Sequence, residues 1–449
     1  MYSQKLQDNI ANKRFNALTL NSASKFVLPK IKDLYLFTIN YKTAPVPIRE
    51  KFAIQEYILP TCNKFLKQCN SISAFLILST CNRTEIYFTA SDLNNALSSI
   101  YELFAKELKI EEKVVKEYNN LISNDDVVHH AFKLACGLDS FVMGERQILS
   151  QVKHAYSISQ KEKALENTLE LLFQSVISSA KDVHKITNLS KNSQSISSAA
   201  IDLANSICGP IKTKSVMVLG AGKMAKLALE HILKIGGAKE TVVLNKSPHR
   251  VIEFADKYKI DKSIPFENVY ETINDIDILI VATGAPHFIL FAEQFKPIRK
   301  DTGKELFIFD ISLPRNIEPE FGRLPNIKLF DIDSLQSTYN QINTSISNED
   351  LNNAELIISS GITRFYEQVN KKELNTLIKD IKQEVEAIRT EKLRVLTENK
   401  ISFTKEEVDY ITQNIINTIL HKPVKNLKDS NPNGSLENKS DVLRELFNL

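Results

Sequence analysis

At 449 residues the chain is too long for one ordinary hydrophobic core, so two or three domains are expected. A charged fraction of 25% and a hydrophobic fraction of 43% describe a globular chain, and a formal charge of +3 excludes nucleic-acid binding by bulk charge alone. No apolar run reaches membrane-spanning length, and no basic segment followed by an apolar stretch opens the chain, so the cytoplasm is the expected location.

Residues 1–33 are polar, rich in Asn, Lys and Ser, and without a clear period, which predicts a loosely ordered extension. A first strand is predicted from Asp33 to Asn40. It runs into Tyr41-Lys-Thr-Ala-Pro45-Val-Pro47, where two prolines force an extended or turn backbone. A helix should start at Ile48. Ser73–Ser79 reads as a second strand, Thr80–Arg83 as a turn, Glu85–Thr89 as a third strand, and Asn94 to about Lys106 as helix. This alternation suggests a split βαβ, ferredoxin-like domain. Between Gly144 and Gly209 there is neither Gly nor Pro, and Leu165, Leu169, Leu172 and Val176 recur at helical spacing, so that interval should be mainly helix.

The stretch from Lys212 to about Asp333 reads differently. An apolar run ending at Leu219 leads into Gly220-Ala221-Gly222-Lys223-Met224-Ala225, then a helical pattern, then a second strand ending at Asn245. Strand, glycine turn, helix and strand are the context of a Rossmann-type dinucleotide site. Gly220 and Gly222 would let the backbone approach a pyrophosphate, and Ala225, in place of a third glycine, is small enough for close helix–strand packing. An α/β unit that binds no nucleotide is the alternative. An NAD site usually offers a carboxylate to the ribose at the end of the second strand. Here stand Asn245, Lys246 and Ser247, with Arg250 a turn on, so NADPH is favoured over NADH unless Lys246 and Arg250 are merely solvated. Asp275–Ala282 and Leu306–Ile311 are further strands of this unit, with loops at their carboxyl ends, where α/β sheets collect ligands.

Beyond Gly361 the next Gly or Pro is Pro423, and Leu374, Leu377, Ile381, Val385 and Ile388 keep a spacing of three or four. Long helices forming an all-α tail are expected, followed by a turn over Asp429–Gly434 and a short terminal helix.

The five cysteines, Cys62, Cys69, Cys81, Cys136 and Cys208, are odd in number and lack metal-ligand spacing, which argues against a disulfide framework and a zinc site. Cys81 stands out, just beyond a strand and two residues from Arg83. A cationic neighbour lowers a thiol's pKa and supplies reactive thiolate. An inert loop cysteine is the other reading. Gly137-Leu-Asp-Ser140 and Gly144-Glu145-Arg146-Gln147 interrupt the apolar pattern, as a turn lined with hydrogen-bonding groups or as a solvated linker. His130 is a candidate acid/base or a structural histidine. A thiol nucleophile beside a nicotinamide domain suits thioester or thiohemiacetal chemistry.

The chain resembles the glutamyl-tRNA reductase family over nearly its whole length beyond the extension. The resemblance rests on Asn40–Pro45 with Arg49-Glu50, Ser79-Thr80-Cys81-Asn82-Arg83-Thr-Glu-Ile-Tyr87, His130 before Gly137–Ser140, and Gly144–Ile148 with Gln151. It continues through Gly220–Met224, Asp310–Arg315, Asp331–Leu335 and Leu420–Pro423. It implies a multidomain α/β plus α fold: an extension (1–33), a ferredoxin-like catalytic domain (34–185), a Rossmann NADPH domain (186–335) and an all-helical dimerisation domain joined by a long helix (336–449). Cys81 would attack the activated carbonyl of glutamyl-tRNA, expel the tRNA and form a thioester. NADPH would reduce that to glutamate-1-semialdehyde, the first step of five-carbon tetrapyrrole synthesis. Thr80, Asn82, Arg83, Ser140, Glu145, Arg146, Gln147 and Gln151 would contact the substrate, with Arg83 facing its carboxylate and His130 assisting the thiol. Gly220 to Ala225 and Asn245, Lys246, Ser247 and Arg250 would hold the cofactor. A homodimer through the tail and an onward partner, glutamate-1-semialdehyde aminomutase, are also implied.

Tyr41 departs from a common His of the family, Arg146 from a common Pro, Lys223 from a common Glu, and Asn245-Lys246-Ser247 from Asn-Arg-Thr. None removes the nucleophile. The alternatives are a non-catalytic tRNA-binding scaffold, against which the intact Cys81, Arg83, His130 and Gly220–Gly222 weigh, and a thiol aldehyde dehydrogenase for a small substrate, which gives the helical tail no role.

Overall fold

Four short strands carry the first domain: β1 (Leu34–Asn40), β2 (Ala74–Ser79), β3 (Arg83–Thr89) and β4 (Asn120–Ser123). The computed structural model describes residues 31, 33–140, 143–189, 195–245, 258, 260–299, 303–335, 347–398 and 404–429. The sheet is antiparallel in the order β2-β3-β1-β4. Helices α1 (Val46–Phe52) and α2 (Leu59–Lys67) connect β1 to β2, and α3 (Leu93–Glu107) and α4 (Glu112–Tyr118) connect β3 to β4. With β3 inserted between β1 and β2, this is the expected ferredoxin-like arrangement. Strand β3 starts at Arg83, two residues earlier than the sequence suggested, because Arg83 still pairs with Asn40. Strand β4 was not foreseen; four residues, half exposed and flanked by polar groups, carry too little pattern.

The two faces of this sheet differ in chemistry. Phe37, Ile39, Ile77, Ile86 and Phe88 meet Phe52, Leu103 and Phe104 in one apolar core, with Phe37 stacked on Phe104 at 5.2 Å. A period of two sends Thr38, Asn40, Arg83, Glu85 and Tyr87 to the other face. That face is buried as well, beneath α5 (Asp125–Ala135) and α7 (Asn167–Ile186), where Phe173 meets the Tyr87 ring edge-on at 5.0 Å. A polar row is thus sealed inside the domain. With α6 (Arg146–Lys161) and α8 (Ile196–Ile207), α7 fills most of the interval that lacks Gly and Pro, and Leu169, Leu172 and Val176 form its buried face.

A second sheet is wholly parallel: β5 (Ser215–Leu219), β6 (Glu240–Leu244), β7 (Lys262–Ile264), β8 (Ile278–Val281), β9 (Leu306–Asp310) and β10 (Ile327–Phe330). Its order, β10-β9-β8-β5-β6-β7, is that of a Rossmann sheet, with β5 and β8 at the point where the winding reverses. Strands β5, β8 and β9 are buried at every residue because both faces are covered. Helix α8 and α9 (Lys223–Lys234) cover one face, where Ile196, Ile201 and Leu229 pack with Val218 and Phe309. On the other, α10 (Val269–Ile273) and α11 (Ala292–Phe295) lie with Leu219, Leu279 and Phe321. The Leu313–Pro314 peptide after β9 is cis.

Two adjacent residues of α1 bind the dinucleotide-type domain through opposite charges. Arg49, almost fully buried, donates to Asp333 at 2.8 Å, and the same carboxylate accepts the Val46 N–H at 2.9 Å. Glu50 accepts from the Arg315 side chain at 2.9 and 3.1 Å and from its backbone N–H at 3.2 Å.

The described residues form two compact units, 33–358 and 359–429. Helix α12 (Asn348–Glu398) begins in the first and ends in the second, giving the expected long helix of 51 residues, with Gly361 inside it. In the second unit Leu377, Ile381 and Leu420 pack together with Val385, Ile416 and Val424, joining α12 to α13 (Lys405–Asp429). The expected terminal helix and nearly all of the N-terminal extension lie outside the described residues. Among the described residues no helix is long and apolar enough to cross a membrane.

Candidate active site

Cys81 sits at the tip of the β2–β3 turn. The Thr80 hydroxyl accepts the N–H groups of Asn82 and Arg83, both at 3.2 Å, and the Thr80 N–H reaches the Arg83 carbonyl at 2.8 Å. Such a Ser/Thr turn fixes the backbone of the residue between. The Asn82 carbonyl is held in turn by the Tyr41 N–H at 2.9 Å. The Cys81 side chain, partly buried, packs on the core shared by α8, α9 and the parallel sheet.

Beside the thiol lies a cavity of about 20 Å³, room for about one water molecule. Thr80, Cys81, Asn82, Arg83, Ser140, Glu145, Gln147 and Gln151 line it together with Ile148, Ile196 and Met224. Nine positions picked out from sequence, Met224 among them, therefore converge on one space. Three polar atoms facing this region are buried without a partner among the described residues: Asn82 Oδ1, Ser140 Oγ and Gln147 Oε1. Buried polar atoms are ordinarily paired, so unpaired ones gathered at one cavity mark where a polar ligand belongs. Met224 bridges the two domains, its sulfur accepting from Gln147 Nε2 at 3.4 Å and from the Ser197 hydroxyl at 3.8 Å.

Arg83 pulls the thiol's pKa down, as the sequence suggested, but does not prevail. Its guanidinium is buried and bound to Glu85 at 2.8 Å and to the Asp139 carboxylate at 3.1 Å, and it donates to the Asp139 carbonyl. Lys42 pairs with Asp139 from the exposed side. Burial pushes the Cys81 thiol up to about 12; the Glu145 charge adds to that, and Arg49 and Arg83 offset it only in part. The thiol is thus raised rather than lowered, because desolvation outweighs cations committed elsewhere.

His130 is placed in the sealed polar row, not at the cavity. Its Nε2 lies 2.9 Å from Glu85 Oε1, and Tyr87 donates to the other Glu85 oxygen at 2.7 Å. Arg146 begins α6 as an exposed residue and does not line the cavity. Sequence reading missed Glu85, Asp139 and Ile196. Glu85 was within reach, since β-strand alternation puts it on the face of Arg83 and Tyr87.

The glycine loop fits a pyrophosphate. Gly220 has φ +122°, and a Cβ there would stand 2.2 Å from the Ala282 carbonyl oxygen, so no other residue fits between β5 and β8. Gly222 caps the N-terminus of α9 without a side-chain bond, and the space around its missing Cβ is open. The first-turn N–H groups of such a helix have no intrahelical acceptor and favour an anion. Ala225 is fully buried, as expected of the close helix–sheet contact. Lys223 and Met224 belong to this first turn, and Ala221 lies between the two glycines. Asn245 directly follows β6; Lys246, Ser247 and Arg250 lie outside the described residues.

A thiol-bearing domain clasped to a doubly wound dinucleotide unit is the architecture of a nicotinamide-dependent oxidoreductase. Three family models match the chain: "Glutamyl-tRNAGlu reductase, N-terminal domain" over residues 37–187, "Shikimate / quinate 5-dehydrogenase" over 202–338, and "Glutamyl-tRNAGlu reductase, dimerisation domain" over 353–449. A glutamyl-tRNA reductase of Carboxydothermus hydrogenoformans is 34% identical, with 93% of each chain covered. One of Brevibacillus brevis is 33% identical over 93% of this chain and 92% of its own. Among solved structures, glutamyl-tRNA reductase from Methanopyrus kandleri matches with 23% identity and a TM-score of 0.49, covering 93% of this chain and all of its own. The chain belongs to the glutamyl-tRNA reductase family.

Proposed function

We propose that this protein reduces the glutamyl group of glutamyl-tRNA to glutamate-1-semialdehyde through a thioester on Cys81, with NADPH as reductant, at the entry to five-carbon tetrapyrrole synthesis. The observation that carries this reading is the cluster of unpartnered Asn82, Ser140 and Gln147 atoms around a nucleophile-bearing cavity that shares Met224 with the cofactor helix. In this assignment residues 34–185 carry the substrate chemistry, 186–335 the cofactor and 336–449 the dimer.

The chain's own residues divide the work. Thr80 holds the turn that presents Cys81, while Asn82, Ser140, Gln147 and Gln151 supply hydrogen-bond donors and acceptors to the glutamyl group. Arg83 takes the substrate carboxylate by releasing Asp139, because Glu85 is fully buried and has no solvent to replace its partner, whereas Asp139 keeps Lys42. His130 holds Glu85, and through it Arg83, in place. Since the cavity has room for about one water, its walls must part to admit the glutamyl group. Bound on the Gly220–Gly222 loop, NADPH would supply the reducing hydride. The carboxylate-free, basic run Asn245, Lys246, Ser247 and Arg250 favours that phosphorylated cofactor. Arg146, exposed at the head of α6, is assigned to the tRNA side of the substrate. A cytoplasmic location and delivery of the semialdehyde to glutamate-1-semialdehyde aminomutase belong to the same reading.

The test is Cys81→Ser. An alcohol is a far weaker nucleophile at neutral pH, so the variant should keep its fold and lose NADPH-dependent reduction. Wild-type protein given glutamyl-tRNA without NADPH should accumulate a glutamyl adduct on Cys81, visible by mass spectrometry. Substantial turnover by the variant, or no adduct, overturns the covalent route.

A further inference from the structure

We propose that Glu145 is the catalytic proton acceptor for Cys81, and that the same carboxyl group returns the proton to the departing tRNA. The proposal rests on the function assigned above and adds to it the group that ionises the thiol.

The geometry points to Glu145 by several routes. It is the N-cap residue of α6, and its side chain makes no cap bond to its own helix, so the helix end does not hold the carboxylate. Glu145 lines the cavity that Cys81 also lines, near enough for its charge to raise the thiol. The two groups share one small cavity and act on each other electrostatically, and a general base works on such a neighbour directly or through one water. The backbone that presents Glu145 is fixed. Gly144 donates to the Gly137 carbonyl at 2.9 Å and has φ +81°, and a Cβ on it would stand 2.5 Å from the Leu189 carbonyl oxygen.

Among the described residues no other group at the cavity can do this. Its titratable members are Cys81, Arg83 and Glu145, and a guanidinium does not accept protons. His130 is engaged with Glu85 and does not line the space. The charged groups that act on the pair are Lys223 at the head of α9, Arg49 of α1 and Arg83 of β3. Burial raises the Glu145 carboxyl to about 7, against the pull of Lys223, so near neutral pH it both accepts and returns a proton. A thiol at about 12 is ionised only to the order of 10⁻⁵ at pH 7, so it needs an acceptor.

The step balances. The Sγ–H proton passes to the Glu145 carboxylate, directly or through one water. Sγ forms a bond to the ester carbonyl carbon as the bond from that carbon to the ribose oxygen breaks. The ribose oxygen takes the proton back from Glu145, leaving the thioester, a tRNA hydroxyl and an ionised carboxylate.

The experiment is single-turnover release of tRNA from glutamyl-tRNA with NADPH withheld, followed from pH 6 to 9. Wild-type protein should show a rate that rises with pH through a midpoint near 7 and then levels. In Glu145→Gln the rate at pH 7 should fall about 10²–10⁴-fold, and the inflection near 7 should vanish. Alkylation of Cys81 by iodoacetamide should move the opposite way, its pH midpoint falling because a nearby negative charge is gone. Glu145→Asp should recover at least tenfold over the Gln variant, which a purely structural role would not explain. Circular dichroism and NADPH binding report whether each variant is folded. If Glu145→Gln is not, the wild-type profile decides, and a rate flat from pH 6 to 8 overturns the proposal. So does tRNA release by a folded Gln variant within about threefold of wild type. If wild-type protein forms no adduct at all, the functional reading falls and takes this one with it. If the adduct forms and Glu145→Gln is unaffected, only this inference falls.

Discussion

Glu85 has no accessible surface, yet it is an ionised side chain with four partners: Arg83, His130, Tyr87 and Thr38. Burial alone would raise its carboxyl. The charges of His130 and Arg83 and the hydrogen bonds from His130 and Tyr87 outweigh burial and hold it well below the usual carboxylate range. A lowered folded pKa contributes stability that is fully present above the unfolded value of about 4.3 and is lost as pH falls below it. Asp139, also lowered against its burial by Arg83 and Lys42, adds in the same direction. Glu85→Ala should therefore cost about 3–5 kcal/mol at pH 7, since it leaves the Arg83 guanidinium buried and half-neutralised. Urea denaturation measures this, and the variant should also show a shallower loss of stability between about pH 4.3 and 2 than the wild type. A cost under about 1 kcal/mol would mean that Asp139 alone satisfies Arg83. This network also shows what could be read in advance. The two-residue period that groups Arg83, Glu85 and Tyr87 is visible in Arg-Thr-Glu-Ile-Tyr. Their partners His130 and Asp139 come from 45 to 56 residues further on, and nothing local announces them.

Helix α1 is short and carries its charges in series, Arg49 then Glu50, each answered by the opposite charge from the dinucleotide domain. The pairing is register-specific: swapping one partner for the other places like charges together. Because Arg49 also offsets the raised pKa of Cys81, the same helix links the domain contact to the electrostatics of the nucleophile. Glu50 and Arg315 are mostly buried and share a bidentate contact, so Glu50→Ala and Arg315→Ala should each cost about 1.5–3 kcal/mol. The double variant should cost little more than either single one, with a coupling energy in the upper part of the 0.5–3 kcal/mol range. Additive losses would show that the two side chains are independently solvated. At this scale most elements were legible, because strands flanked by prolines or glycines and helices lacking both leave long, regular patterns. Gly361 does not interrupt the long helix. One glycine costs about 1 kcal/mol inside a helix, less than the burial of Ile362 and Phe365 beside it returns, so α12 runs through.

The second unit leaves apolar side chains uncovered on α13. Ile416, Leu420 and Val424 face α12, while Tyr410, Ile411, Ile415 and Ile419 are 73%, 52%, 52% and 65% exposed. Four large apolar groups at successive turns of one helix exceed the scattered exposure of an ordinary surface. The sequence foretold the helical period but not this division, since one broad apolar stripe looks the same whether it meets one neighbour or two. The match of residues 353–449 to a dimerisation domain supplies the second neighbour, another copy of this chain. Complete burial of such a side chain contributes about 1.5–3 kcal/mol, and these are already half covered, so about 1 kcal/mol each remains to be gained. A symmetric pair would then gain roughly 8 kcal/mol from this row alone, comparable with the roughly 4–15 kcal/mol that association costs. Removing half of the row is therefore decisive while leaving the α12–α13 contact untouched. Ile415→Asp with Ile419→Asp should raise the dimer dissociation constant about 10³-fold or more, because about 4 kcal/mol is lost and charges enter the interface. Sedimentation velocity at micromolar concentration should then show a dimer for the native chain and a monomer for the variant. The Cys81 adduct should still form in that monomer, as every residue lining the thiol cavity lies between Thr80 and Met224. A variant that remains dimeric would place the interface on another face of the helical unit, and a monomer unable to form the adduct would show that the partner copy completes the site.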